Sequence, residues 1–471
     1  MVWCAFIASI AGFNVGWHIG VPNMPQTTIA GCQDITDNGD SALPPCLPMS
    51  DFTWGYTVAA YPIGGLVGGL ASKYLNVYFP RRTCMLIAAV WNVIGGILSA
   101  TSINPVMYSF GRAFVGLGCG MSGSSVAIYI SEISTNKSRG ALGSFFEVFL
   151  NLGILLAQVC GLYMSYNPVW RVLWAIPSII AALQIVFIIF TVVESPRRLC
   201  ADQQQEKARY ALDKLRNHTD IEEELEILLS SLAVKIEGMS IWEVISWKNK
   251  KITWNTVIVI VVQMYNQVGG IGPMSVYSVG FLTKAFGGDS VLATDVVLAQ
   301  ASANIVATLI CIFTIHKVGR KGYMMISTLG QCIGCTFIVI ASNVGTTEQM
   351  GPMIIVGALL FSLTYSTGCG VIPWLLAPEL LPLKALAAGS ALGNAGNWLM
   401  NFLVNILWPY IDAGADTYSF LVFVVINFIG FIFMTFCLPE TTGRSLAQGD
   451  EDDPLSRRPS IHYDVEKDSK E

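Results

Sequence analysis

Residues 172–193 read VLWAIPSIIAALQIVFIIFTVV, a stretch of 22 residues without a charged side chain, preceded by Arg171 and followed by Glu194. A transmembrane helix needs about 20 consecutive, mostly apolar residues, because the hydrocarbon core of a bilayer is about 30 Å thick and a helix rises about 1.5 Å per residue. The stretch therefore predicts a helix that crosses a membrane.

The composition of the whole chain agrees with a membrane protein. Of its 471 residues, 53% are apolar and only 13% are charged, roughly half the charged share of an average soluble domain. The apolar residues suffice for about twelve spanning helices, which leaves no room for a large soluble enzyme domain. We find no basic patch for nucleic acid, no phosphate-binding loop, no nucleophile–His motif and no metal-ligand spacing, so we expect no enzyme activity and no cofactor.

Twelve apolar segments can be counted, six on each side of a charged stretch. They cover residues 2–22, 52–73, 83–102, 106–130, 141–164, 169–193, 252–281, 291–315, 322–342, 350–377, 385–409 and 417–438. They predict an all-α membrane protein with twelve transmembrane helices in two six-helix bundles, at 1–193 and 251–438. We expect a cytoplasmic linker with short amphipathic helices at 194–250, from its helical spacing of Leu and Ala, and a mostly disordered cytoplasmic tail at 439–471.

The basic residues predict the orientation of the chain. With the N-terminus in the cytoplasm, every Lys and Arg except Arg112, Arg171 and Lys284 falls on that side. Cytoplasmic loops carry such an excess, so both termini are predicted to be cytoplasmic, in the plasma membrane or the vacuolar membrane. Cys32 and Cys46 share one polar loop on the opposite side, where they either form a disulfide or remain free thiols.

Charged residues at the helix ends repeat between the two halves, with three marks at offsets of 239, 247 and 246 residues. Parallel repeats occur in transporters whose two bundles rock about a central site. Arg–Glu pairs can break and re-form during such a motion, although single charges at these places also serve simply as interface anchors. We predict an inner gate formed by Arg81, Glu132, Arg139, Glu194, Arg197, Arg320, Glu379 and Glu440.

Several motifs resemble those of the sugar porter branch of the major facilitator superfamily. They are GRAFVG at 111–116, YISE at 129–132, RGALG at 139–143, ESPRRL at 194–199, GRK at 319–321 and PETTGR at 439–444. The resemblance extends over residues 16–446 and is nearest to fungal hexose-transporter-like proteins and facilitative glucose transporters. It implies a twelve-helix alternating-access carrier with a sugar site at mid-membrane between its halves.

The resemblance also implies which residues bind the sugar. Amides suit a polyol because each offers a donor and an acceptor, and an aromatic face covers the apolar side of a sugar ring. Such residues also serve as contacts between membrane helices. The implied substrate-binding set is Glu147, Asn266, Gln267, Asn304, Trp374, Asn397 and Trp398.

Glu147 stands where the resemblance implies a sugar-contacting Gln, and its role has three alternatives. It lies about six residues into an apolar helix, roughly 9 Å from the start, where a carboxylate is costly and indicates function. It can be neutral and bond a sugar hydroxyl as Gln would, it can carry a proton, or it can pair with a cation.

His18 stands where the resemblance implies Asp in proton-coupled members and Asn in facilitators. Imidazole titrates near neutrality, so His18 with the nearby fourth-span Arg112 is a candidate proton site of the first helix. A fixed cation close by disfavours the protonated imidazole, however, which argues against coupling of the carboxylate type.

Other positions depart from the implied pattern and leave several functions open. Gly272 and Ser366 replace a polar and an acidic residue of the implied site, while His316 and Leu386 replace charged residues near the gate. We predict facilitative transport of a monosaccharide by a protein whose partners are the sugar or polyol and the lipid bilayer, acting as a monomer. The alternatives are a proton-coupled sugar or polyol symporter, and a non-transporting sugar sensor or trafficking factor.

Overall fold

A computed structural model describes residues 1–32, 43–135, 138–216, 221–233, 239–344 and 347–442. Within these ranges the side chains of residues 139–141, 231–233, 344, 347–349 and 383 are left aside. The described residues form twenty α-helices and one short 3-10 turn, without a strand. The predicted tail lies outside the described residues from position 443 onward.

The first half of the chain contains six long helices and one short one. They are α1 (Val2–Gly20), α2 (Gln26–Ala30), α3 (Asp51–Tyr78), α4 (Arg81–Ala100), α5 (Pro105–Ile133), α6 (Arg139–Met164) and α7 (Trp170–Thr191). Four short helices follow in the predicted linker, namely α8 (Pro196–Ala201), α9 (Gln205–Arg216), α10 (Glu222–Ala233) and α11 (Ile241–Ile245).

The second half repeats the six-part pattern with two of its segments divided. Its helices are α12 (Lys250–Val268), α13 (Ile271–Val276), α14 (Ser278–Ala285), α15 (Ser290–Val318), α16 (Arg320–Val344), α17 (Thr347–Thr367), α18 (Ile372–Leu380), α19 (Leu383–Ala415) and α20 (Leu421–Cys437). Each of the twelve predicted apolar segments therefore coincides with one helix or with a run of consecutive helices.

Nine helices in the described part of the chain are long and apolar enough to span a membrane, or ten when the bent pair α19–α20 is counted. Helix α3 is not among them despite its 28 residues, because glycines and polar residues dilute its apolar content. Those glycines have a packing role: a Cβ at Gly64 or Gly68 would collide with the backbone of α5. The prediction of an all-α protein with the apolar helices of a membrane protein is confirmed.

Glycines divide two spanning segments in the second half near the middle of the bundle. Gly270 separates α12 from α13 with a φ of +109°, a conformation that L side chains rarely adopt. Gly368 lies between α17 and α18, where a Cβ would meet the carbonyl of Tyr323. Discontinuous helices of this kind expose polar groups at the centre of transporters, and here Asn266 and Gln267 end α12 at the break.

The two ends of the bundle differ in chemistry. The end that carries Arg81, Arg320 and helices α8–α11 is called here the charged end. At the opposite end, the disulfide end, Cys32 and Cys46 are bonded to each other, which decides between the two alternatives that the sequence left open.

The two halves of the molecule pack together through α3 against α19 and through α6 against α15. At the disulfide end the Tyr56 hydroxyl lies 2.8 Å from that of Tyr410. There, too, Asn23 Nδ2 donates to Ser278 Oγ at 2.8 Å. One buried apolar cluster contains Trp54 of the first half together with residues of the second half. The molecule is therefore closed at the disulfide end.

Candidate functional site

Charged residues of the first half that the sequence proposed as part of a gate lie together at the charged end. Arg81 donates through Nε and Nη2 to the carboxylate of Glu132, at 3.1 and 3.0 Å. The backbone amides of Arg81 and Arg82 donate to Glu194 at 2.9 and 3.0 Å. One carboxylate thus pairs with the guanidinium at the start of α4, and the other accepts from the first amides of that helix.

The second half repeats this arrangement group by group. Arg320 Nη2 donates to Glu379 Oε1 at 2.7 Å, and the amides of Arg320 and Lys321 donate to Glu440 at 3.0 and 3.1 Å. The equivalence of the two sets supports the duplication that the sequence offsets indicated. Both Arg–Glu pairs lie within one half, so each ties together the helices of its own bundle.

The two amide-bound carboxylates differ in their acidity. Burial raises the pKa of Glu194 above the usual value, although the amides that donate to it act in the opposite direction. Partial burial also acts to raise the pKa of Glu440, but the hydrogen bonds from Thr442 and from the amides of α16 outweigh it and hold the pKa below the usual value. Acidification is therefore expected to neutralise Glu194 before Glu440.

Two other predicted gate residues are placed differently. The side chain of Arg139 lies outside the described residues. Arg197 is exposed, whereas the next residue, Arg198, donates to the carbonyl of Val77 at 2.8 Å and to Asp202 at 2.9 Å. The sequence interpretation missed Arg198, since nothing in the motif tells which of two adjacent arginines points back toward α3.

Three predicted substrate residues meet in a network of amides between α12 and α19. Asn397 Nδ2 donates to Asn266 Oδ1 at 2.9 Å and to Gln263 Oε1 at 3.1 Å. Gln267 Nε2 donates to Asn397 Oδ1 at 3.2 Å. Since each amide has both donors and acceptors, such a network can exchange internal bonds for bonds to a polyol.

The network extends along α19 through residues that the sequence interpretation missed. Asn401 donates to Gln267 Oε1 at 2.9 Å, and Asn405 donates to Asn401 Oδ1 at 2.8 Å. The side-chain oxygen of Asn405 is buried without a hydrogen-bond partner among the described residues. It lies beside Gly272, which has no side chain to fill the space. Asn397, Asn401 and Asn405 recur every four residues, which places them on one helix face and could have identified the set.

A narrow cleft lies between α6 of the first half and α13 and α15 of the second. Its polar lining includes Gln158, Gln300 and Asn304, and Ser366 donates to Asn304 Oδ1 at 2.9 Å. The side-chain oxygens of Gln158 and Gln300 are buried without a partner. The cleft encloses about 10 Å³, the room of one water molecule, so the halves must separate before a sugar fits.

Glu147 lies away from this cleft, about 16 Å along α6 from Gln158 at 1.5 Å per residue. Asn151 Nδ2 lies 3.4 Å from Glu147 Oε1 and 3.4 Å from Thr308 Oγ1 of the second half. The carboxylate is thus close to a polar contact between the two halves. Gln158, which the sequence interpretation passed over, is the α6 amide that lines the cleft.

The two predicted tryptophans have different surroundings. Trp398 packs edge-on against Tyr61, with ring centroids 5.8 Å apart, and its ring fills the space beside Gly65 of α3. It therefore connects the two halves near their middle. Trp374, at the start of α18, is 47% exposed.

His18 and Arg112 are neighbours, as the sequence predicted. Arg112 Nη1 donates to the carbonyl of His18 at 3.0 Å. The guanidinium lies 4.8 Å from the ring of Tyr61 and 5.1 Å from that of Trp174, and cation–π contacts of this kind stabilise a desolvated Arg. Within the described ranges no carboxylate forms a salt bridge with Arg112, and no cluster of His, Cys, Asp and Glu has the geometry of a metal site.

Two similar bundles, a closed end, duplicated Arg–Glu pairs and a polar network at broken helices are features of a secondary carrier. The family model described as "Sugar (and other) transporter" matches residues 4–452. The chain belongs to this family. It is accordingly a multi-pass membrane transporter and not an enzyme, as the sequence predicted.

Curated relatives and solved structures agree with the family. Facilitated glucose transporter member 3 of solute carrier family 2 from Ovis aries is 28% identical over 457 residues, 95% of this chain and 91% of the relative. The protein of the same name from Gallus gallus is 29% identical over 472 residues, covering 98% and 94%. The inward-open xylose transporter XylE from E. coli has a TM-score of 0.76 at 23% identity, over 95% and 99% of the two chains.

Proposed function

We propose that the protein transports a monosaccharide by alternating access and does so without ion coupling. The observation that carries the proposal is the amide network of Gln267, Asn397 and Asn401 beside the glycine break that ends α12. Three neutral amides, each with donors and acceptors, suit a neutral polyol better than an ion. The similarity to facilitated glucose transporters supports a hexose as the substrate class.

The proposed substrate site extends from this network to the cleft. Asn304 and Trp374 contribute from the second half, and Trp398 covers one face of the sugar ring. Ile271, which lines the cleft, directly precedes Gly272 beside Asn405, so the amide network and the cleft are adjacent. Glu147 acts at the contact between α6 and α15. There it is neutral and bonds to a sugar hydroxyl as Gln would.

The proposed cycle alternates closure between the two ends of the molecule. The bundles at 1–193 and 251–438 rock against each other, joined by the linker at 194–250 and followed by the tail at 439–471. We place the charged end and both termini in the cytoplasm, because most Lys and Arg residues lie there. The closed disulfide end then faces away from the cytoplasm of a plasma or vacuolar membrane.

Proton-coupled symport is the second candidate, and Glu147 is the observation that favours it. A carboxylate inside a spanning helix is costly unless it has a function, and Asn151 joins it to Thr308 across the two halves. In the facilitative mechanism proposed above, however, Glu147 stays neutral, so it neither binds nor releases a proton during transport.

Uptake by the purified protein in liposomes separates these candidates. Labelled hexoses, pentoses and polyols are supplied with and without an inward proton gradient, and Glu147→Gln is measured beside the wild type. We expect equilibrative uptake of a hexose that the gradient does not raise and that Glu147→Gln retains within about threefold. Accumulation driven by the gradient and lost in Glu147→Gln would establish symport, and no uptake above empty liposomes would favour the sensor.

A further inference from the structure

A buried cluster in the first half has more hydrogen-bond donors than acceptors. The cluster comprises His18 of α1, Trp54 of α3, Tyr108 and Arg112 of α5, and Trp174 of α7. Six of its polar atoms are buried without a hydrogen-bond partner among the described residues: both ring nitrogens of His18, Arg112 Nε, the Tyr108 hydroxyl and the indole nitrogens of Trp54 and Trp174. Arg and Trp nitrogens can only donate, so the cluster is short of acceptors.

The members of the cluster are in contact with one another around Trp174. Its ring lies 6.0 Å from the ring of His18, 5.3 Å from that of Tyr108, and 5.1 Å from the Arg112 guanidinium. Tyr108 in turn stacks on Trp54 at 6.0 Å. The residues that carry the unpaired groups therefore form one packed cluster.

The charge of Arg112 makes this site different from an ordinary polar pocket. Arg112 is 2% exposed, and within the described part of the chain its side chain donates to a single acceptor, the carbonyl of His18. A buried cation is strongly destabilising unless an opposite charge or several acceptors compensate it. The aromatic faces beside Arg112 offset only part of this penalty.

Arg171, a second arginine of the same bundle, is a useful contrast. It is 8% exposed and donates to the carbonyls of Ala100, Ser102 and Pro44 at 2.7, 2.9 and 2.7 Å. Three carbonyl dipoles thus surround its charge. Arg112 donates to one carbonyl of the described residues. Its positive charge is therefore less well compensated than that of Arg171.

We propose that His18, Tyr108 and Arg112 bind a small monovalent anion, chloride under physiological conditions, which acts as the counter-ion of Arg112. The anion accepts hydrogen bonds from donors that the protein leaves unpaired. Because these residues come from α1 and α5 and pack on α7, the bound anion stabilises the first bundle. This site goes beyond the proposed sugar transport and does not depend on it, since none of its residues belongs to the amide network.

The unfolding temperature of the full-length protein, purified in detergent, tests the proposal directly. Chloride is titrated against methanesulfonate, a larger and weakly coordinating anion, at constant ionic strength. We expect a saturable rise of about 3 °C, because a ligand that binds only the folded state stabilises it. The response is expected to vanish in Arg112→Gln. The control variant Arg171→Gln, which alters an arginine already served by three carbonyls, is expected to retain it.

His18→Asp provides a decisive second variant because its carboxylate would replace the anion. We expect its unfolding temperature in methanesulfonate to equal or exceed that of the wild type in chloride, without a further chloride response. An absent chloride response in the wild type, or an undiminished response in His18→Asp, would overturn the proposal. A third arm with D-glucuronate tests a carboxylate substrate as the source of the anion, and a larger rise than with chloride would also overturn it.

Discussion

Asn397 occupies the centre of the amide network, and its side chain uses both of its ends. Its nitrogen donates toward Gln263 and Asn266, while its oxygen accepts from Gln267. Removal of such a group leaves several buried partners unpaired, and each costs about 1–3 kcal/mol. A change at Asn397 is therefore expected to disturb both the hydrogen bonds within the amide network and the binding of a polyol to it.

We expect Asn397→Leu to lower kcat/KM for sugar uptake by about 10- to 100-fold, the equivalent of roughly 1.4–2.7 kcal/mol. Initial rates in proteoliposomes measure this effect. Asn343→Leu is the matched control, because Asn343 contacts Thr417 at the exposed disulfide end of α16 and should leave uptake near the wild-type rate. Equal rates in Asn397→Leu and the wild type would remove Asn397 from the site.

At the scale of elements, the segment between α2 and α3 depends on a covalent constraint. The Cys32–Cys46 bond closes this segment over 14 positions. Trp170 of α7 donates to the carbonyl of Pro45 at 2.7 Å, beside the bonded Cys46. The disulfide therefore helps to hold Pro45 against Trp170 at the start of α7.

We expect the double variant Cys32→Ser, Cys46→Ser to lose about 3 kcal/mol of unfolding free energy, as a loop of this length predicts. Thermal unfolding in a non-reducing buffer measures the loss, and a reducing agent should lower the wild type to the same value. Cys437→Ser, which alters a free cysteine, serves as the control. A double variant as stable as this control would contradict the structural role.

The whole molecule is closed at the disulfide end, where short polar side chains of both halves meet. Asn23 Nδ2 donates to Ser278 Oγ, and the amide of Val279 donates back to Asn23 Oδ1 at 3.1 Å. If the halves rock as proposed, these bonds must break in every cycle. A covalent link at this point would then stop transport without disturbing either bundle.

We expect oxidation of the double variant Asn23→Cys, Ser278→Cys to reduce sugar uptake at least tenfold, and reduction to restore it. Uptake is measured in proteoliposomes after each treatment, with formation of the link followed by mass spectrometry. The single variants and the wild type, which carry the native disulfide through the same treatments, are the controls. Unchanged uptake in the fully linked protein would refute movement at this end.

Much of the fold followed from local sequence properties. Long apolar segments separated by charges determine where helices begin and end, because a spanning helix must satisfy its own backbone within the bilayer. The twelve predicted segments match the helices of the structure for this reason. The offsets of the charged residues likewise indicated a duplication, and the two Arg–Glu pairs of the structure have matching geometry.

The residues that form the candidate site were harder to predict from the sequence than the helices were. Asn266, Gln267 and Asn397 could be expected to meet, and the four-residue spacing along α19 places Asn405 on the same helix face as Asn397. Gln158 could not be assigned, since an amide inside an apolar segment gives the same sequence pattern whether it packs against a neighbouring helix or lines a cleft. Rotation of each helix about its axis is set by packing against its neighbours, and that packing involves residues far apart in the chain.

The amino-acid sequence by itself determined the class of the protein, its helices and the repeat of its charged residues, because these depend on apolar length and charge spacing along the chain. Only the tertiary structure decided which amides face one another, that Cys32 and Cys46 are bonded, and that no carboxylate of the described residues pairs with Arg112. These properties depend on contacts between distant helices, so no local pattern of residues contains them.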